Sequence, residues 1–296
     1  MSRSQKIDKF WEVLFSIIAI TCIGILFCIK IFLLKEGLPI LKVVSLKNFL
    51  FGKYWYPTSD PPDFGIFPLI VASFAVTLLS GIIAIPLSIA TAVFMSEYAS
   101  QRVRNILKPM FELLASLPSV ILGLFGIVVV APILEKIFDI PTGLNLFNAS
   151  IMLAIMSIPI ISSIAEDAIF AVPMELREAS YALGATKMET IIRVVIPAAL
   201  PGISAAIILG MSRAIGETMV VLMVAGGAAM IPYSIFDPVR PMPAAIAAEM
   251  GEAPAGTPHY HALFAIGVVL FVLTLLFNIL AYCISQRYKQ TGAATL

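Results

Sequence analysis

The sequence predicts an all-α polytopic membrane protein with six transmembrane helices, and three observations support this fold class. The 296-residue chain is 60% hydrophobic and only 12% charged, with a mean hydropathy of +1.00, whereas soluble domains carry about 25% charged residues. The charged residues are clustered, so that long charge-free runs separate them. The basic residues also follow the positive-inside rule. This composition excludes an ordinary soluble enzyme, and a net charge of +1 excludes a basic nucleic-acid binder.

The charge-free runs give the individual helices, because a span needs about 20 mostly apolar residues. The runs cover residues 13–29, 64–96, 113–134, 140–165, 194–212, 218–236 and 253–286. The first of them can be extended to Leu34 if the amine of Lys30 reaches the membrane interface.

The fifth and sixth runs are separated by only five residues, Arg213 to Glu217, so the chain has either seven spans or six. Residues 203–224 contain no proline and only two glycines, which predicts one continuous helix that breaks later, at Gly226, Gly227 and Pro232. Six spans with a cytoplasmic N-terminus place 11 basic residues inside and 6 outside, whereas seven would expose the basic C-terminal tail. We therefore expect six spans, with both termini in the cytoplasm.

Three regions follow from this topology. Residues 1–66 hold a cytoplasmic tail, an uncleaved first helix and an extracytoplasmic segment. Residues 67–285 form a five-helix core with a long cytoplasmic loop at 171–197, and residues 286–296 form a second cytoplasmic tail. The extracytoplasmic part, residues 35–63, either binds a partner or covers the bundle.

Motifs of catalysis and of metal binding are scarce. The chain lacks the phosphate-binding loop G-x-x-x-x-G-K-[ST], and no nucleophile–base pair requires an enzyme. We predict no cofactor and no metal, although His259 and His261 with Glu249 or Glu252 could supply metal ligands. The cysteines lie in predicted spans, where they act as small hydrophobes.

The cytoplasmic loop predicts a short helix–turn–helix with one apolar face. Pro173 suits a helix start, and Glu175 and Glu178 lie near the positive end of that helix. Gly184 can end the helix in a left-handed conformation, and a second helix follows from Thr186. From the physical pattern alone, this element is either an interfacial linker or a docking element for a partner groove.

This loop resembles the signature of ATP-binding-cassette (ABC) importer permeases, which reads E-A-A, three residues, Gly, nine residues and I-x-L-P. The same spacing connects Glu178-Ala179-Ser180, Gly184 and Val194-Val195-Ile196-Pro197. The resemblance implies that the loop docks into a cleft of a separate ATPase subunit, so the chain itself is a non-catalytic transport subunit. The residues implied in ATPase coupling are Glu175, Glu178, Ala179, Gly184 and Lys187.

Arg213 and Glu217 are the charged residues that the six-span topology places deep in the membrane. They are four residues apart, so on a continuous helix they share one face. A charge at the bilayer centre costs about 3 kcal/mol on insertion scales, and such residues mark either a substrate pathway or a structural ion pair. The planar fork of arginine suits a tetrahedral oxyanion.

Further motifs resemble the permeases of phosphate-specific ABC importers, in particular the PstC-type subunit. These are RAIGETM at 213–219, GIFPLI at 65–70, LPSVILGLFG at 117–126, AIAAEMGEA at 245–253 and HYHALF at 259–264. The resemblance implies the type I importer permease (MetI-like) fold and import of inorganic phosphate across the inner membrane by alternating access. The implied partners are a second permease (PstA-type), an ATPase dimer (PstB-type), an extracytoplasmic phosphate-binding protein (PstS-type) and membrane lipid, but no nucleic acid.

Within that picture, Arg213 contacts the passing phosphate and Glu217 holds or neutralises Arg213. Three alternatives remain open at this point. The first is a permease of the same fold for another oxyanion, such as molybdate or sulfate. The second is an ion-coupled secondary transporter with Glu217 as its proton site, and the third is a regulatory membrane scaffold.

Overall fold

The computed structural model describes residues 3–293 of the chain, and the side chains of residues 9–283. The regular secondary structure of the described residues is helical apart from one two-stranded antiparallel hairpin of β1 (Trp55–Tyr56) and β2 (Asp63–Phe64). In chain order the helices are α1 (Arg3–Gly37), α2 (Leu46–Phe51), α3 (Phe67–Val93), α4 (Gln101–Ala115), α5 (Ser119–Phe125), α6 (Ala131–Phe138), α7 (Leu146–Phe170), α8 (Met174–Ala182), α9 (Lys187–Thr190), α10 (Ile196–Ile215), α11 (Met219–Val224), α12 (Met242–Glu249) and α13 (Pro258–Ala293).

Wider π-helical turns extend three of these helices. They are Phe94–Tyr98 after α3, Gly126–Val130 between α5 and α6, and Ile191–Val195 between α9 and α10. The segments joined in this way run on as single spans.

Six helical segments of the described chain are long and apolar enough to cross a membrane, which confirms the predicted number of spans. They are Lys9–Lys42, Phe67–Tyr98, Ser119–Phe138, Leu146–Phe170, Lys187–Ile215 and Pro258–Cys283. The third differs from its predicted bounds of 113–134, since the helix is interrupted between Ala115 and Ser119, where Pro118 stands.

The prediction of one continuous helix over residues 203–224 is wrong. Helix α10 ends at Ile215, and α11 starts afresh at Met219. Gly216 carries no side chain to pack at the break, and the carboxylate of Glu217 accepts hydrogen bonds from the backbone N–H groups of the first α11 turn. A side-chain acceptor of this kind satisfies donors that a new helix start leaves free.

The core of the bundle is formed by α3, α7 and α10, which approach closely through small residues. Gly202 lies against Ala168, and Gly210 lies against Ile161, at distances that leave no room for an added Cβ. Hydroxyls add cross-helix hydrogen bonds, such as Ser162 Oγ to the Ser88 carbonyl at 3.3 Å. Small and hydroxyl-bearing residues are typical of helix contacts inside membranes.

The two ends of the bundle are called basal and distal here. The basal end carries α8 and α9, and the distal end carries the segment from residue 38 to residue 66 together with α12. The distal segment covers the bundle, because Ile40, Phe49, Trp55 and Phe64 are buried against the start of α3, α12 and α13.

Candidate functional site

The α8–α9 segment at the basal end forms a compact helix–turn–helix, as its sequence predicts. Pro173 is the residue before α8, and Gly184 adopts φ +83° in the turn, a conformation that suits glycine. The turn is closed by the Gly184 N–H, which donates to the Tyr181 carbonyl at 2.9 Å. Thr186 and Glu189 form a reciprocal capping box at the start of α9.

A hydroxyl pair joins the two short helices. Ser180 Oγ lies 2.8 Å from Thr190 Oγ1, and both side chains are buried. Ser180 stands where the ABC importer signature has its second alanine, so this departure from the pattern has a structural use. The α8–α9 segment therefore behaves as one block.

The exposed surface of this block carries large apolar side chains. Leu183 is 90% exposed, and Met174, Tyr181 and Met188 are exposed as well. The predicted coupling residues Glu175, Glu178, Ala179 and Gly184 lie exposed on the same block. Lys187 is also exposed, but its amine donates to the Glu97 carbonyl and lies 4.4 Å from the centre of the Tyr98 ring.

Arg177 fixes the block to the membrane helices. Its Nη2 donates to Glu97 Oε1 at 2.9 Å and to the Ile169 carbonyl at 3.0 Å, while Nη1 donates to the Val172 carbonyl. The Arg177 and Glu97 side chains are only 11% and 8% exposed. One guanidinium thus joins α8 to the basal ends of both α3 and α7.

A second ionic cluster joins α4 to α7 at the same end. The Glu166 side chain is fully buried, forms an ion pair with the Arg104 guanidinium and accepts a hydrogen bond from Lys108 Nζ at 3.0 Å. Burial alone would lower the pKa of Lys108, but its hydrogen bonds to Asp167 and Glu166 outweigh burial and raise that pKa. Lys108 is therefore charged throughout the physiological pH range.

Neither cluster is apparent as a site from the sequence alone. Glu97 and Glu166 are the residues that end the second and fourth charge-free runs, and that position is the one local sign of their role. The sorting of charges by the six charge-free spans predicts that only Lys30, Arg213 and Glu217 lie inside them. That prediction is wrong, because the observed helices extend beyond the charge-free runs and include Glu97 and Glu166.

Arg213 lies in the last turn of α10, close to mid-depth of the bundle. Helices α10 and α7 are antiparallel, with Gly202 against Ala168 and Gly210 against Ile161. Three residues beyond Gly210, Arg213 is at about the level of Ile158, the midpoint of α7. Its side chain is exposed and forms no hydrogen bond or ion pair with any residue that the structure describes.

Glu217 does not pair with Arg213 within the described chain. Instead, Glu217 Oε1 accepts from the N–H groups of Met219 at 3.1 Å and Val220 at 3.4 Å. A carboxylate at this position also interacts favourably with the positive end of the helix dipole. Among the described residues the guanidinium therefore has no anionic partner, and it can make bidentate contacts to an oxyanion.

At the distal end, the Glu249 carboxylate contacts side chains from three different chain segments. Trp55 Nε1 lies 3.0 and 3.1 Å from its two carboxylate oxygens, His259 Nε2 lies 2.8 Å from Oε2, and Arg240 Nη1 lies 2.5 Å from Oε1. His261 faces elsewhere, with Nδ1 2.7 Å from the Glu36 carbonyl. The two histidines therefore do not converge, and the described residues contain no group of three ligands placed to hold a metal.

Comparison with known proteins identifies the family. The family model described as "Binding-protein-dependent transport system inner membrane component" matches residues 84–290. The chain is 41% identical to a probable ABC transporter permease protein, YqgH, of Bacillus subtilis, covering 88% of this chain and 85% of that protein. It is 32% identical to the phosphate transport system permease protein PstC of Haemophilus influenzae, covering 90% and 92%.

Solved structures agree on the fold. A bacterial alginate ABC transporter in complex with an alginate pentasaccharide-bound periplasmic protein matches with a TM-score of 0.67 at 16% identity, over 96% of both chains. An inward-facing MetNI methionine ABC transporter matches with a TM-score of 0.60 at 20% identity, over 75% of this chain and 95% of that one. The fold is thus that of type I ABC importer permeases, and the chain belongs to the family of inner membrane components of binding-protein-dependent transport systems.

Proposed function

We propose that this chain is one of two permease subunits of an ATP-driven importer for inorganic phosphate. Support comes from its relatives, since PstC proteins of Haemophilus influenzae and of Mesorhizobium japonicum are 32% and 34% identical to it over most of the chain. The sequence motifs at 213–219, 245–253 and 259–264, which resemble phosphate-specific permeases, also support phosphate as the substrate.

The observation that carries the proposal is the guanidinium of Arg213, which lies at mid-depth and pairs with no described residue. An unpaired charge facing lipid at this level would cost about 3 kcal/mol or more. The exposed side of Arg213 therefore faces a partner subunit or a water-filled path. Membrane transporters place substrates at broken helices near the midplane, and the break between α10 and α11 begins three residues after Arg213.

The remaining site residues take their roles from this arrangement. Arg213 contacts phosphate on the path between this chain and a second permease, and Glu217 holds the broken segment that follows. The exposed block residues Glu175, Glu178, Ala179, Gly184 and Lys187, with Leu183 among them, dock against the ATPase. ATP hydrolysis belongs to that partner, because this sequence has no phosphate-binding loop.

The proposed function also gives the orientation of the chain in the membrane and the steps of the transport cycle. The basal end, with both termini, faces the cytoplasm, and residues 67–285 form the transporting core. An extracytoplasmic phosphate-binding protein delivers substrate at the distal end. Closure of the ATPase dimer moves the α8–α9 block, and the helices alternate between outward-open and inward-open states around Arg213.

The experiment is uptake of labelled phosphate by proteoliposomes that hold the chain with its second permease, ATPase and binding protein. We expect uptake only with ATP on the ATPase side, with little competition from sulfate or molybdate. Preferential uptake of another oxyanion would overturn the phosphate assignment. Uptake driven by a pH gradient without ATP would indicate a secondary transporter, and the absence of any uptake would indicate a scaffold.

A further inference from the structure

We propose that the Glu97–Arg177 ion pair transmits the motion of the α8–α9 block to helix α3, which makes Glu97 a positioning residue for transport. This inference rests on the proposed function, since it assumes that an ATPase moves the block. It concerns a pair of residues that are 80 positions apart in sequence and meet at the basal end.

The α8–α9 block is held together by three internal contacts. The closed turn at Gly184, the Ser180–Thr190 hydroxyl pair and the Thr186–Glu189 capping box hold α8 and α9 together. A force on the exposed face of the block therefore displaces both short helices together.

The block is connected to its neighbours in two different ways. It follows α7 directly in the chain, through Ala171 to Pro173, and it continues into α10 through the π-helical turn Ile191–Val195. Helices α7 and α10 therefore follow the block through covalent connections. Helix α3 has no such connection, because α4, α5, α6 and α7 lie between it and the block in the chain.

Within the described chain, contacts from Arg177, Lys187 and Met188 link the block to the basal end of α3. Arg177 forms the ion pair with Glu97, Lys187 donates to the Glu97 carbonyl, and Tyr98 Oη lies 3.8 Å from Met188 Sδ. Of these contacts the ion pair is the most costly to disrupt, because both side chains are buried and removal of one charge leaves the other unpaired in a low dielectric.

Packing of α3 on α7 acts at a different level. The hydrogen bonds between Ser88 and the Ile158 carbonyl, at 3.4 Å, and between Ser162 and the Ser88 carbonyl, at 3.3 Å, lie nearer the middle of the bundle. Apolar packing continues to the basal end, where Ala92 of α3 lies in the same buried cluster as Ile169 and Val172. The ion pair adds to this packing the charged connection between α3 and the α8–α9 block. Arg177 also holds the Ile169 and Val172 carbonyls, so one side chain keeps the ends of α3 and α7 in register.

The test compares phosphate taken up with ATP hydrolysed in the reconstituted complex. The variants are Glu97→Gln, which removes the charge and keeps an oxygen acceptor, and Arg177→Lys, which keeps the charge and removes the fork. Glu112→Gln is the matched control, because Glu112 is exposed on α4 at the same end and its side chain forms no hydrogen bond or ion pair with a described residue.

We expect both variants to retain membrane insertion, ATPase binding and ATP hydrolysis, while uptake per ATP falls about tenfold, within the range of coupling between residues in contact. The control should match the parent chain. A parallel loss of uptake and hydrolysis would overturn the inference, since it would mean that the pair only maintains the block. Unchanged uptake per ATP would overturn it as well.

These outcomes are separate from failure of the proposed function. If the parent complex transports another oxyanion, the uptake of that anion per ATP hydrolysed is measured instead of phosphate uptake per ATP. The role of the Glu97–Arg177 pair is then tested in the same way. If the parent complex hydrolyses ATP without transporting any oxyanion, the proposed function and this inference both fail.

Discussion

Replacement of Gly184 by alanine tests the coupling role of the α8–α9 block. Gly184 has φ +83°, and a Cβ added there would meet no atom within 4 Å, so the substitution strains the backbone without creating a clash. An L-residue in this conformation costs about 1–2 kcal/mol, which changes the ratio of two states by a factor of about 5–30. The ratio of the native turn to other conformations should fall by that factor, and the dissociation constant of the ATPase should rise by up to the same factor.

The assay is binding of purified ATPase to the permease in lipid nanodiscs. Gly184→Asn should recover part of the affinity, because asparagine tolerates the left-handed region better than alanine does, and Gly184→Pro should weaken binding further. Gly251→Ala is the matched control, since that glycine also has free space around it but has no left-handed φ. All variants should insert into the membrane normally. Unchanged ATPase affinity of Gly184→Ala would refute the reasoning, and so would an equal loss in the control.

The ionic cluster around Glu166 gives two further predictions. Glu166→Gln leaves the partly buried Arg104 and Lys108 without their buried carboxylate and should lower the free energy of unfolding by about 3–5 kcal/mol. Asp167→Asn, at an acid that is 60% exposed, should change the free energy of unfolding by only about 0–1 kcal/mol. Thermal unfolding in detergent measures both effects, and equal effects would contradict the structural role given to Glu166. Because the pKa of Lys108 is raised in the folded chain, its stabilising contribution is complete below the ordinary value of 10.5 and is lost only as the pH rises through the elevated value. The stability difference between the parent chain and Lys108→Met should therefore stay constant from about pH 6 to 9, and a decline within that range would argue against the raised pKa.

Much of the fold could be predicted because its determinants are local or compositional. The six spans follow from charge-free runs, since the bilayer excludes charge wherever the chain crosses it. The basal helix–turn–helix follows from Pro173, Gly184 and Thr186, whose backbone preferences act within one turn. These residues occupy the predicted positions in the structure.

The break after α10 could not be predicted from local preference. Gly216 alone does not end a helix, and residues 219–224 would continue one equally well. The break depends on the Glu217 carboxylate and on the packing of α11 against α5, where Gly123 admits the side chain of Met223. The ion pair between Glu97 and Arg177 was also beyond local reasoning, because the fold alone brings residues 80 positions apart together.

Phosphate uptake by the Arg213→Gln variant tests the central claim most directly. The claim is that the Arg213 guanidinium, which pairs with no residue in the described part of the chain, contacts the substrate at mid-depth. Uptake should therefore fall to background while the complex assembles and binds ATP normally. Arg102→Gln is the matched control, because Arg102 is exposed on α4 and its side chain forms no hydrogen bond or ion pair with a described residue. Its uptake should equal that of the parent chain. Normal phosphate uptake by an assembled Arg213→Gln complex would contradict the account.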